Sequence, residues 1–97
     1  MININSFMAF CKSIVGLKFK TAGGRSGFVL SSAQSNKLCY YVVSTGNTRT
    51  HTRRRIEMVL DRYGKTKSLK PGDYQDISVN ASYILPLIRL YCSKHPC

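Results

Sequence analysis

Acidic side chains are scarce in this chain compared with basic ones. The 97 residues include four Asp plus Glu against 15 Lys plus Arg, which gives a formal net charge of +11. A metal-dependent nuclease needs clustered carboxylates around its ions. Here Asp73 and Asp76 beside Lys70 would form only a loose cluster, and helical spacing pairs Glu57 and Asp61 with neighbouring arginines. The sequence therefore indicates no catalytic residues and does not predict an enzyme.

Long apolar runs and leader sequences are also missing. No apolar run approaches the roughly 20 residues that a membrane-spanning helix needs. The start of the chain, Met-Ile-Asn-Ile-Asn, lacks the basic and apolar regions of a signal peptide. The four cysteines do not show the spacing of a disulfide scaffold. We therefore expect a cytoplasmic protein with reduced cysteines and no membrane partner.

Paired metal-ligand motifs are absent as well. The C-terminal run Cys92-Ser-Lys-His-Pro-Cys97 offers three candidate ligands, whereas a structural zinc site takes four. We therefore predict no metal and no cofactor. The length suits a single domain over 1–97, with residues 93–97 expected to form a frayed tail.

Apolar periodicity predicts an α+β fold with an N-terminal helix, a three-stranded antiparallel meander and two C-terminal helices. The predicted helices and strands cover, in chain order, 6–15, 17–21, 27–32, 37–44, 52–63 and 81–92. Glycine is expected to end the second helix at Gly64. Pro86 either kinks the last helix or lies in the first turn of a shorter helix that begins near Leu85.

Positive charge is concentrated where the third predicted strand leads into the second helix. Residues 47–70 carry eight basic and two acidic side chains, and 47–55 read Asn-Thr-Arg-Thr-His-Thr-Arg-Arg-Arg. Cations at a helix start oppose the helix macrodipole, which favours anions there. A phosphate backbone is the usual external anion for such a cluster. His51 is a candidate general base, although a histidine among arginines is more often a phosphate or solvent contact.

These observations predict a non-enzymatic nucleic-acid-binding module that reads backbone or shape. The predicted binding residues are Arg25, Arg49, Arg53, Arg54, Arg55, Arg62 and Lys65. Glu57 and Asp61 would pair locally with Arg53 and Arg54. The arginines then left for an outside anion are Arg49, Arg55 and Arg62. A solvated helix face is the competing interpretation.

The last helix predicts an alternative function. Tyr83, Leu87 and Leu90 form a second apolar stripe beside the inward-facing one. A domain of this size has little interior in which to bury both faces. The stripe therefore predicts docking to another protein or a homodimer, with the positive charge serving solubility alone.

Three short motifs carry a resemblance to known proteins. They are Gly24-Arg-Ser-Gly-Phe28, Ser44-Thr-Gly-Asn-Thr-Arg49 and Asp76-Ile-Ser-Val-Asn-Ala-Ser-Tyr-Ile84. Together they resemble small uncharacterised α/β modules of mobile genetic elements or restriction-associated proteins, over about residues 17–88. The resemblance implies nucleic-acid-associated biology and transfers no catalytic residue.

Overall fold

Alternating apolar residues in the first half of the chain form a sheet, and the periodic apolar stripes form helices packed against it. The computed structural model describes residues 2–24 and 26–95. Within that part of the chain lie three α-helices, one 3-10 helix and four antiparallel strands in the order β1-β2-β3-β4. The elements are α1 Ile4–Ser13, β1 Lys18–Lys20, β2 Gly27–Ala33, β3 Lys37–Val42, β4 Thr48–Thr52, α2 Arg53–Thr66, the 3-10 helix Pro71–Tyr74 and α3 Ala81–Lys94. The predicted α+β class is confirmed.

The meander has four strands, so the prediction of three is wrong. β4 pairs antiparallel with β3, from Lys37 opposite Thr52 to Tyr41 opposite Thr48. Its sequence, Thr-Arg-Thr-His-Thr, alternates as a strand should. The only buried side chain of β4 is the polar His51, so no apolar alternation marked the strand. The basic segment 47–55 therefore forms a strand up to Thr52, and its last three residues begin α2.

The core lies between one face of the sheet and the three α-helices. The sheet contributes Phe28 and Leu30 from β2 and Leu38 and Tyr40 from β3, all fully buried. The helices contribute Phe7, Cys11, Ile56, Val59, Ile84, Leu85, Leu87 and Ile88. Because strand side chains alternate between faces, the opposite face of the sheet carries the residues between these positions.

The second helix runs past the glycine that was expected to end it. Thr52 is its N-cap and accepts a hydrogen bond from the Arg55 N–H at 3.5 Å. The helix ends at Lys67, which adopts a left-handed conformation with φ of 56° and donates its N–H to the Tyr63 carbonyl. Buried Tyr63 packs this last turn onto the core, so Gly64 is an interior residue of the helix. The prediction of a stop at Gly64 is wrong.

Pro86 lies inside α3, and the interpretation with a shorter helix starting near Leu85 is wrong. Proline has no N–H, so the Ser82 carbonyl one turn earlier lacks its usual helical donor. The Ala22 N–H fills that position at 3.0 Å. Pro86 thus lets the loop between β1 and β2 attach to α3.

The same helix continues through Ser93 and Lys94, two residues of the segment that we expected to be frayed. Residues 96 and 97 lie outside the described part of the chain. Among the described helices, none has the length and apolar character needed to cross a bilayer.

Replacing Pro86 with Ala should loosen the contact between the β1–β2 loop and α3. The new N–H competes with the Ala22 N–H for the Ser82 carbonyl, and the proline ring no longer pushes that carbonyl outward. We expect the Ala22 amide to exchange about fivefold faster or more, as for the loss of a hydrogen bond contributing about 1 kcal/mol. Amide hydrogen exchange by NMR measures this, with Pro71→Ala as the control. Equal protection of Ala22 in both variants would contradict the assignment.

Candidate nucleic-acid interface

Arg53, at the start of α2, makes three contacts within the protein. Its guanidinium donates to the Ser35 carbonyl at 2.8 Å and to Asn5 Oδ1 at 2.5 Å. Its Nε lies 3.6 Å from Glu57 Oε1, so the predicted pairing of Arg53 with Glu57 is confirmed. Arg53 therefore joins α2 to α1 and to the turn between β2 and β3.

Two arginines that were expected to lack internal partners have them. Arg55 donates to the Ile77 carbonyl at 2.6 Å. Arg62 makes a two-pronged contact with the Asp76 carboxylate at 2.5 and 2.8 Å, and reaches the Asp73 carbonyl at 3.0 Å. The hydrogen bond from Arg62 is the main cause that lowers the pKa of Asp76. The expectation that both arginines lack partners within the protein is therefore wrong, and their predicted contact with an outside anion stays a prediction.

Three predicted binding residues remain without such partners. Arg49, Arg54 and Lys65 are exposed, and within residues 2–24 and 26–95 none of their side chains forms a hydrogen bond or ion pair. The predicted pairing of Arg54 with Asp61 is therefore not formed. Arg25, the seventh predicted residue, lies outside the described residues.

Charge is separated along the chain, and the strands of the sheet carry no acidic side chain. All four acids lie between Glu57 and Asp76, whereas residues 1–52 carry six basic side chains and no acid. The sheet ends at Thr52. Every acid therefore belongs to α2 or to the segment that follows it, and the sheet carries none.

The outer face of the sheet, opposite the core, presents a mixed basic, aromatic and hydroxyl surface. One row crosses all four strands as Lys18, Val29, Tyr41 and Thr48, each opposite the next. The Tyr41 side chain is 42% exposed. Sequence reasoning missed this face because Tyr41 lies in a continuous apolar run, in which the outward residues cannot be distinguished until the register is known.

His51 is buried between two hydroxyl groups. Its Nδ1 lies 2.8 Å from the Tyr40 hydroxyl and its Nε2 lies 2.8 Å from Ser78 Oγ. The ring is 1% exposed, and burial, aided by the charge of Arg55, lowers the pKa of His51 to about 4. The imidazole is therefore neutral near pH 7.

The direction of the hydrogen bonds shows what His51 does. Tyr40 is fully buried, and His51 is the partner of its hydroxyl. An unsatisfied buried hydroxyl hydrogen is costly, so Tyr40 donates to Nδ1 and Nε2 carries the proton. Ser78 Oγ then accepts from Nε2 and from the Asn80 N–H at 3.0 Å. A protonated Nε2 cannot take a proton from Ser78, so His51 joins β4 to the start of α3 and is not a general base.

The stability of the fold should fall as the pH drops below about 6.5. The folded state holds His51 with a pKa of about 4 against 6.5 for the free side chain, so protons bind the unfolded chain preferentially between these values. Stability is complete above pH 6.5 and declines by about 3 kcal/mol as the pH falls to about 4. Urea unfolding across this range measures the decline.

A non-titrating variant isolates this contribution. His51→Gln should be less stable at neutral pH and should lose most of the pH dependence. The control variant His95→Gln should retain the pH dependence of the wild-type stability. The same decline in His51→Gln as in the wild type would show that other groups cause it.

The apolar stripe on α3 is part of the core packing. Leu87 is fully buried, and Leu90 packs partly buried against the core. Tyr83 stacks on Tyr40 with ring centroids 5.6 Å apart and meets Phe28 edge-on at 5.3 Å. One of the three stripe residues thus belongs to the core, and the other two pack against it. The premise that a domain of this size cannot bury both faces was therefore wrong.

The C-terminal Cys/His run does not form a metal centre within the described residues, where no group of three ligating side chains converges. Cys11 and Cys39 are free thiols, and Cys92 is disulfide-bonded. The expectation of four reduced cysteines is therefore wrong for Cys92. Cys97, the last of the run, lies outside the described residues.

No family model, curated protein or solved structure matches the chain. The resemblance to modules of mobile genetic elements or restriction-associated proteins stays a prediction.

Proposed function

We propose that this protein is a non-enzymatic module that binds nucleic acid through the phosphate backbone. The observation that carries the proposal is the separation of charge, with six basic side chains and no acid before residue 53. A surface of one sign attracts a polyanion and releases its condensed counterions on binding. The two ion pairs among the described residues, Arg53–Glu57 and Arg62–Asp76, both use α2 arginines and so leave the charges of this part of the protein unpaired.

The six predicted residues that lie within the described part of the chain divide into two roles in this proposal. Arg49, Arg54 and Lys65 contact phosphates, since their charges are exposed and internally unpaired. Arg53, Arg55 and Arg62 hold the flanking segments in place through their hydrogen bonds. With few side chains able to read base edges, recognition is of backbone and shape.

Salt dependence tests the binding function. Labelled single-stranded and duplex oligonucleotides of about 20 nucleotides are titrated at about 50 and 200 mM salt. Three phosphate contacts on duplex predict a loss of affinity of about 40-fold across this interval. No binding at the lower salt concentration would refute the proposal.

Charge-neutral variants test the assigned residues. Replacing Arg49, Arg54 and Lys65 with Gln should lower the slope of log affinity against log salt by about 2 to 3, because about one counterion is released per contact. The matched control replaces three other exposed basic side chains, Lys70, Arg89 and Lys94, with Gln. It removes the same net charge and should leave the slope nearly unchanged. Equal losses in the two triple variants would mean that net charge alone acts.

The alternative function, protein docking through the α3 stripe, loses its surface because Leu87 is buried and Tyr83 stacks on Tyr40. A homodimer through another surface stays a prediction, and sedimentation of the free protein tests it. A cytoplasmic location also stays a prediction, with the disulfide at Cys92 as the observation against it.

A further inference from the structure

We propose that the outer face of the sheet binds single-stranded nucleic acid, with a base stacked on Tyr41 and the backbone beside Lys18 and Lys20. This inference rests on the proposed nucleic-acid-binding function and assigns it a surface and a strand class. The sheet face is distinct from the start of α2, where the sequence placed most of the binding residues.

The first support is that this face is open. The three α-helices pack on the opposite side, over Phe28, Leu30, Leu38 and Tyr40. Within the described residues, Tyr41 is 42% and Val43 51% exposed. Val29 and Cys39, half-buried in the centre of the face, give it an apolar floor. Exposed aromatic and apolar groups on an uncovered sheet suit the flat faces of bases.

The second support is charge complementarity. Lys18 and Lys20 extend from the edge strand β1 on this face, and Lys37 lies at the far end of β3. The strands carry no acidic residue. The face is therefore an apolar floor with a cationic border, which is the combination that holds a single strand by stacking and by its phosphates.

Hydroxyl groups form the other border of the face. Thr48 lies opposite Tyr41 and Thr50 lies opposite Cys39, so these two of the three threonines of β4 project to the outer side. Both are exposed. Hydroxyls donate to phosphate and sugar oxygens without reading sequence. A strand crossing the face would thus meet lysines on one side of Tyr41 and threonines on the other.

The hydroxyl end of the Tyr41 ring lies near the turn between β3 and β4. A Cβ atom at Gly46 would lie 3.7 Å from the Tyr41 hydroxyl oxygen, so the ring extends from β3 toward this turn. Gly46 has a φ of +73°, a conformation that glycine adopts without strain.

Stacking on Tyr41 also selects the strand class. The faces of bases inside a duplex are covered by their neighbours, whereas bases of a single strand can turn toward an aromatic ring. The proposal therefore expects a single strand to bind more tightly than a duplex of the same length at the same salt concentration.

The test compares Tyr41→Ala, Tyr41→Phe and the double variant Lys18→Gln/Lys20→Gln by fluorescence anisotropy with a labelled oligothymidine of about ten nucleotides. Tyr41→Ala should weaken binding about 5- to 150-fold, as expected for one lost stacking contact. Tyr41→Phe keeps the ring and should bind like the wild type. The lysine variant should lower the salt slope by about 1.4. Because these side chains are exposed, thermal melts should show folded variants.

The outcomes separate this inference from the proposed function. If the wild type binds and Tyr41→Ala binds equally well, the sheet face is not the site, while phosphate binding elsewhere stands. Tighter binding of the duplex than of the single strand would overturn the strand class. If the wild type binds neither form at low salt, both proposals fail.

Discussion

The arrangement of this protein depends most on the two hydrogen bonds of one buried side chain. The neutral imidazole of His51 makes them to Tyr40 and Ser78. It attaches the edge strand β4 to the sheet interior and to the start of α3. A shift of β4 by one residue would turn His51 outward and its threonines inward. The same hydrogen bonds therefore fix which side chains of the basic segment face the core, the edge and the outer side of the sheet.

The arginines of α2 act at a second level, on segments with little regular structure of their own. Arg55 and Arg62 bind carbonyl and carboxylate oxygens between residues 73 and 77, and Arg53 binds the β2–β3 turn and α1. Exposed ion pairs contribute little energy individually. Here the arginines orient the segments that they bind. Their guanidinium groups contact oxygens within the protein, although the sequence predicted an external anion for Arg55 and Arg62.

Once these arginines are accounted for, positive charge without internal partners remains on the sheet and on the exposed side of α2, among other surface positions. The acids are confined to α2 and the residues after it, so the strands themselves carry no acidic side chain. The face with Tyr41, Lys18 and Lys20 combines an exposed ring with cations. In the two proposals, the cations bind the phosphate backbone and the exposed ring stacks on a base.

The sequence by itself determined the α+β class, the helices at the two ends and in the middle, three of the strands and the separation of charge. Each depends on spacing between near neighbours or on composition. Only the tertiary structure decided that the Thr-Arg-Thr-His-Thr segment is a strand, that Arg62 meets Asp76 and that Leu87 is buried. These depend on contacts between residues far apart in the chain, and local periodicity contains no information about which distant group arrives. Pro86 illustrates both kinds of information. The sequence shows that Pro86 has no N–H, but only the tertiary structure shows that the Ala22 N–H donates to the Ser82 carbonyl in its place.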